Sequence, residues 1–400
     1  MWSLDIKIWI LALLRLFNYL GGALSYIFLA PYLIANNFGN ATQIGASFSF
    51  GRILGALIQR HTGKLSDYFG RHIQILLSMF FKTAGYIFLG FIVLNKLSLI
   101  WIFFVFLFLS ISDSLFLPAS DAMVADLTTQ ENRVKAYSLQ KIGANIGWAT
   151  GPFLGSFFAK DYLPQLMFFS APIYLISGII GFISLKSYGI KSIKSNYKEN
   201  FKKFKSSNYN IPKKLYPFVA GTFIIALLAA AFFTPVPMFL KKYKNIDSAL
   251  FGRLFSINGL IVIIFQGLVY KIANKFGNFI IILLGNFFYI SAYIYLALLG
   301  IFDFNTLIIM IVLMSIGEIL IEPTIVSVYT ENAHELHKGE LLGVYRLFYT
   351  LGRASAAFIV GISIDLFATK FNTGLWFIWA GIGVLNLLLF TYSYFKLKKY

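Results

Sequence analysis

Long apolar stretches dominate the chain, interrupted by short polar and glycine-containing breaks. A helix needs about 20 apolar residues to cross the hydrocarbon core of a bilayer. Twelve stretches have that character, near residues 8–35, 41–60, 72–94, 98–124, 136–159, 165–186, 216–240, 249–271, 279–300, 305–329, 341–364 and 373–395. Apolar residues are continuous within them rather than alternating, which predicts helices and argues against a membrane β-barrel. The first run is too long for the apolar core of a signal peptide and is followed by further spans, so it reads as a retained helix.

Composition narrows the class. Charged residues make up 12% of the chain, against about 25% in a soluble domain, and hydrophobic residues 58%. So few charges could not cover a soluble surface. The chain has no cysteine, which removes disulfides, thiolate catalysis and cysteine-ligated metals. Of four histidines, His334 and His337 share one polar loop, and no metal or haem site is expected. No Ser/His/Asp set gathers on a loop and no G-x-x-x-x-G-K-[ST] run occurs, so neither an enzyme nor direct ATP drive is expected.

The net charge of +18 could suggest nucleic acid, but its distribution argues otherwise. Residues 187–215, between the sixth and seventh spans, form the longest polar stretch. Lys191, Lys194, Lys198, Lys202, Lys203, Lys205, Lys213 and Lys214, with Lys186 at its edge, face one acid there, Glu199. This reads as a basic linker on an anionic inner leaflet, not a nucleic-acid contact. With the N-terminus in the cytoplasm, only Lys96, Lys160, Lys241, Lys242, Lys244 and Lys370 fall in outer segments. The bias places both termini and the linker inside. The expected organisation is a six-helix bundle over 1–186, the linker 187–215, and a second six-helix bundle over 216–400.

The two halves repeat each other. At a shift of 207, Gly45 meets Gly252, Ser49 meets Ser256, and Phe69-Gly70 meets Phe276-Gly277. At a shift of 205, Asp113 meets Glu318, Pro118 meets Pro323, Asp126 meets Glu331, Arg133 meets Lys338, Lys141 meets Arg346, and Gly147 meets Gly352. Acid on acid, base on base and proline on proline in one register imply a duplication, with a pseudo-two-fold axis along the membrane normal.

After the second span comes GKLSDYFGRH, Gly63 to His72. Gly63, Leu65, Asp67, Gly70 and Arg71 resemble the signature loop of the major facilitator superfamily, G-x-L-x-D-x-x-G-R-[RK], with His72 departing at the last position. The second-half copy has Asn274 in place of the acid. The resemblance implies a charge cluster of Asp67, Arg71, Asp126 and Arg133 acting as a cytoplasmic latch, with Asp67 facing the start of the eleventh helix near Gly339. In the fifth span, Gly147, Gly151, Pro152 and Gly155 resemble the superfamily's antiporter motif, with Ser156 at its last glycine. The run VADLTTQENRVKAYSLQ resembles the drug–proton antiporter branch. The arginine often carried by the fourth helix of that branch is absent, so its proton relay does not carry over. The implied fold is all-α: twelve transmembrane helices in two pseudo-symmetric six-helix bundles.

A charge at mid-bilayer costs at least about 2.5–3.5 kcal/mol. Asp113, Glu318 and Glu322 are the intramembrane acids of this reading, and Arg15, Arg52, Lys82, Lys141, Arg346 and Arg353 the bases. Glu318 and Glu322 share a helix face, as do Arg346 and Arg353. Asp113, Glu318 and Glu322 are read as proton-coupling groups, with Lys141 and Arg346 as candidate partners. Arg353, Arg52 and Lys82 are further charge partners, and Arg15 is read as snorkelling to the interface. A structural ion pair is the competing reading for each. The excess of bases would suit an organic anion, or pairing that follows protonation.

Asn18, Tyr19, Tyr26, Asn145, Trp148, Tyr345 and Tyr349 are candidate lining of a central cavity for amphipathic molecules. Pro235 and Pro237 should break the seventh helix. The expected function is proton-coupled export of a hydrophobic or amphipathic small molecule by rocker-switch alternating access, in the cell membrane, with a monomer sufficient. A facilitator of an organic anion or sugar derivative, and a non-transporting sensor, stay open as alternatives.

Overall fold

The computed structural model describes residues 4–186, 212–299, 301–332 and 338–398; for residues 58–69, 130, 131, 134, 270, 271, 274, 338–340 and 398 it describes the backbone alone. The described residues form helices and turns without strands. The helices are α1 Ile6–Ala35, α2 Ala41–Phe69, α3 Arg71–Leu94, α4 Leu99–Leu127, α5 Gln130–Ser156, α6 Leu163–Leu185, α7 Tyr216–Ala231, α8 Pro235–Lys244, α9 Ser248–Phe276, α10 Asn278–Leu298, α11 Phe304–Glu331, α12 Lys338–Phe371 and α13 Leu375–Lys398. Every predicted span falls on a helix, and the seventh falls on two. Phe232–Thr234 separate α7 from α8, and Pro235 sits at the first position of α8, where its missing N–H costs nothing. Among the described residues, nine helical stretches are long and apolar enough to cross a membrane; one, Leu341–Leu397, runs through both α12 and α13. Most of the 187–215 linker lies outside the described residues.

Contacts gather the chain into two compact units, Met1–Tyr26 with Phe50–Asn208, and Ile27–Ser49 with Tyr209–Tyr400. The division passes through α1 and α2. In the first unit α3 packs on α4 and α6. Glycines set the α1–α5 contact: a Cβ on Gly143 would lie 2.4 Å from the Ala12 carbonyl oxygen, and one on Gly147 2.3 Å from that of Leu16. A Cβ on Gly151 would lie 2.7 Å from the Ala23 side chain. These glycines bring two backbones together as small residues do in membrane helices. The antiporter-like motif is therefore a packing face on α1, with Pro152 and Gly155 buried on the same helix.

In the second unit α7 packs on α12 and α13, and α11 on α9 and α10. Gly352, the repeat partner of Gly147, makes the matching approach: its Cβ would lie 2.2 Å from the Phe223 carbonyl oxygen of α7. The start of α2 belongs to this unit because α12 holds it. A Cβ on Gly45 would lie 2.1 Å from the Ala357 carbonyl oxygen, and one on Gly361 2.4 Å from that of Ala41. The Asp365 carboxylate accepts from the Ala41 and Thr42 N–H groups at 3.2 and 2.8 Å, capping the first turn of α2. Lys242 lies 3.7 Å from the same carboxylate.

Candidate functional site

Polar side chains inside the apolar helices mark the places to examine, and each unit holds one cluster. In the first unit, Lys82 of α3 is buried and its Nζ donates to the Asp113 carboxylate of α4 and, at 2.6 Å, to Asn18 Oδ1 of α1. Asn18 also accepts, through its carbonyl oxygen, from Tyr174 Oη at 3.1 Å. Lys82 Nζ lies 5.4 Å from the Tyr174 ring. The Asp113 side chain is 51% exposed although it lies near the middle of α4. A carboxylate at that depth needs water or a polar ligand on its open side, because lipid offers it nothing. Arg52 of α2 stacks its guanidinium over Tyr26 at 4.4 Å and Phe106 at 5.4 Å. Tyr86 lies within electrostatic reach of Asp113, Arg52 and Tyr26, which ties the groups into one cluster. Tyr19 and Trp148 meet edge to face at 6.4 Å, and Asn145 lies half-buried one turn before Trp148 on α5.

A second ion pair was missed in the sequence. Arg15 of α1 donates to Asp121 of α4 at 2.6 Å and to Ser120 Oγ at 3.2 Å. Arg15 is buried and so does not snorkel. Asp121 escaped notice because it falls within four residues of the apparent end of the fourth span, where acids pass for interfacial. Its place eight residues after Asp113, near the same face of a helix, was the available signal.

In the second unit, Asn258 of α9 donates to Glu318 at 2.9 Å and to Ser315 Oγ at 2.9 Å, both on α11. Tyr349 of α12 donates to Glu322 at 3.0 Å. Arg353 lies over the Phe233 and Tyr349 rings at 5.7 and 5.8 Å, within electrostatic reach of Glu322 and Glu318. Tyr329, Tyr345 and Tyr349 form a run of ring contacts at 5.4 and 5.5 Å. Of the candidate partners, the structure brings Lys82 to Asp113 and Arg353 toward Glu322. Lys141 and Arg346, first in line by symmetry, are exposed on α5 and α12. The reason is geometric: positions 113 and 82 face each other across the tight α3–α4 contact.

The signature segment is not a loop. Residues 63–69 continue α2, and Gly70 alone makes the turn into α3, with φ 91°. The expected break at residue 60 marked where apolarity ends rather than where the helix ends. Gly277 makes the equivalent turn with φ 85°. After each turn the next residue reaches an acid at the end of a neighbouring helix. Arg71 bonds Asp126 and donates to the Ala122 carbonyl at 2.5 Å, and Asn278 donates to Glu331 at 2.5 Å. Arg133 donates to the Ala125 and Thr128 carbonyls at 3.2 and 3.3 Å, covering the end of α4 rather than an acid. The side chain of Asp67 lies outside the described residues, and so does its expected contact near Gly339.

An apolar groove of about 550 Å³ runs past Leu24, Leu154 and Phe169 and contains none of these polar residues. Leu154, Phe158, Tyr162 and Phe169 on its walls are exposed, a surface suited to lipid, while Leu24 and Leu166 lie buried at its base.

A sequence profile of the Major Facilitator Superfamily matches residues 11–357. The chain belongs to the major facilitator superfamily. It is 26% identical over 397 residues to "Uncharacterized MFS-type transporter YqjV" of Bacillus subtilis, covering 98% of this chain and 94% of that one. It is 23% identical over 290 residues to the multi-drug resistance efflux pump PmrA of Streptococcus pneumoniae, covering 69% and 70%. A crystal structure of a mutant of the nucleoside transporter NupG superposes with a TM-score of 0.77 at 14% identity, covering 97% of this chain and 99% of that one. At that identity the likeness shows the fold alone. The protein is thus a multi-pass membrane transporter of the major facilitator type, for which membrane embedding and a small-molecule substrate follow.

Proposed function

We propose that this major facilitator exports hydrophobic or amphipathic small molecules in exchange for protons, by rocker-switch alternating access. One observation carries the reading. Each unit holds a carboxylate deep in a membrane helix with cationic, amide or phenolic groups beside it: Asp113 with Lys82 and Asn18, and Glu318 and Glu322 with Asn258, Tyr349 and Arg353. A carboxyl near a cation favours its charged form, and one facing an apolar wall favours its neutral form. A conformational change that exchanges those surroundings binds and releases a proton. The fifth-span motif and the likeness to the pneumococcal multi-drug resistance efflux pump support the export direction.

In this reading Asn18, Tyr19, Tyr26, Asn145, Trp148, Tyr345 and Tyr349 contact the substrate. Asp67, Arg71, Asp126 and Arg133 stabilise one state at the cytoplasmic face. The protein works as a monomer in the cell membrane with both termini inside and the basic linker on the anionic leaflet.

The test is proton release by purified, detergent-solubilised protein on adding lipophilic cations, neutral drugs and organic anions, with wild type beside Asp113→Asn and Glu318→Gln. Substrate-triggered release that one of the variants lacks is expected. Binding without release in wild type refutes proton exchange and leaves a facilitator or a non-transporting sensor.

A further inference from the structure

Three cations of the first unit meet an acid among the described residues. Arg15 is paired with Asp121, Arg71 with Asp126 and Lys82 with Asp113. Arg52 is different. Among the described residues no carboxylate or other acceptor receives a hydrogen bond from its guanidinium; its neighbours are the Tyr26 and Phe106 rings. Stacking occupies the flat face of a guanidinium and leaves its five N–H donors, which lie in the plane, unused. A permanently charged fork eleven residues into α2, about 16 Å along the helix, is costly unless an anion meets it. Arg52 is only partly buried, and the nearby Asp113 carboxylate is half exposed, so the cluster is open to a ligand.

We infer that Arg52 is the anion-binding subsite of the substrate site, taking the carboxylate or sulfonate of an amphipathic monoanion whose apolar body packs on Tyr26 and Phe106. The charges support one negative group: Arg52 and Lys82 against Asp113 leave one positive charge uncompensated. The fork suits two parallel N–H···O bonds to a planar carboxylate. The inference rests on the transport reading for the role of the site, and it assigns the substrate class that reading leaves open. It also divides the proton traffic. An anion beside Asp113 favours that carboxyl's protonated form. Proton release with such a substrate is then left to Glu318 and Glu322.

The experiment is equilibrium binding to the purified full-length protein in lipid nanodiscs, with three probes that share a ring system: 2-naphthoate, 2-naphthamide and 2-naphthyl-trimethylammonium. Wild type should bind the carboxylate about tenfold to hundredfold tighter than the amide, the range of one charge-assisted contact. Arg52→Gln should abolish that preference while keeping amide binding, and Arg52→Lys should keep part of it. A thermal melt of each variant confirms folding. Equal affinity for the three probes, preference for the cation, binding of none, or an unchanged preference in Arg52→Gln overturns the inference. Counterflow in proteoliposomes separates the two claims. Arg52-dependent binding of naphthoate without its movement sustains the subsite and defeats transport. Movement of the cationic probe alone sustains transport and defeats the subsite.

Discussion

Adding one methyl group at Gly147 should destabilise the protein, and the same addition at Gly343 should not. At Gly147 the new Cβ would meet the Leu16 carbonyl oxygen at 2.3 Å, where ordinary contact begins at 3.4 Å. The obstacle is helix backbone, so α1 and α5 must part by about 1 Å. A gap of that size forfeits roughly a quarter to a half of the dispersion attraction across an interface. Overpacking of this kind costs about 1–3 kcal/mol. Replacing a helical glycine by alanine returns at most about 1 kcal/mol of helix propensity. The net loss at Gly147 should therefore be about 1–2 kcal/mol. At Gly343 a Cβ meets nothing within 4 Å, so only the favourable propensity remains. Gly352→Ala should behave like Gly147→Ala, because its Cβ would lie 2.2 Å from the Phe223 carbonyl oxygen. Thermal unfolding of the three variants in detergent, followed by tryptophan fluorescence, is the assay. Gly147→Ala and Gly352→Ala should melt several degrees below wild type, and Gly343→Ala at or above it. If the three melt alike, the close backbone approach does not hold these helices together.

Three further outcomes follow from single contacts. Asp113→Asn should lower stability by about 1–3 kcal/mol by leaving the buried Lys82 without its counter-ion, and the double variant Lys82→Met/Asp113→Asn should recover part of the loss; additive losses in the thermal melts would mean that the pair is uncoupled. Gly70→Ala and Gly277→Ala should each cost about 1–3 kcal/mol, because alanine rarely adopts the backbone angles held there, and unchanged melting temperatures would count against both turns. Asp365→Ala should cost about 0.5–2 kcal/mol by uncapping α2, and hydrogen exchange should accelerate at the Ala41 and Thr42 amides; unchanged exchange there would contradict the cap.

Helix placement was legible because the bilayer imposes one length on every span, and apolar runs report that length directly. What the runs cannot report is where helices continue past the membrane. Residues 63–69 are polar and still helical, since a helix satisfies its own backbone wherever it goes. The repeat was legible because it preserves residues with particular duties. Gly70 and Gly277 make the same turn, and Gly147 and Gly352 the same close approach. Charge pairing was less so. Linear spacing showed that Asp113 and Glu318 needed partners, but partner choice depends on which helices touch. Lys141 has the matching position by symmetry, while Lys82 has the facing position across the α3–α4 contact. Asn258 and Asp121 went unread for related reasons. An amide in an apolar helix draws little notice, and an acid near a span's end passes for interfacial.

The two clusters descend from one ancestral pattern but now keep their cations on different helices. In the first unit the cations near Asp113 come from α2 and α3, as Arg52 and Lys82. In the second, the cation near Glu318 and Glu322 comes from α12, as Arg353. Arg353 aligns with Trp148 in the repeat register, and Lys82 with Tyr289. Each half thus carries an aromatic residue where the other carries its cation. The repeat keeps one acid of the clusters, Asp113 against Glu318, and the glycine contacts that position helices, while the countercharges differ. A site whose acids had only to be neutralised would gain nothing from that rearrangement. A pair of clusters with separate duties, one receiving a ligand's charge and one trading protons, would gain independent control of each. Exchanging the residues at 52 and 353 for glutamine one at a time distinguishes these cases. Separate duties require Arg52→Gln to alter ligand preference with proton release intact, and Arg353→Gln to alter proton release with ligand preference intact. If either change moves both properties equally, the clusters form one functional unit and the division is wrong.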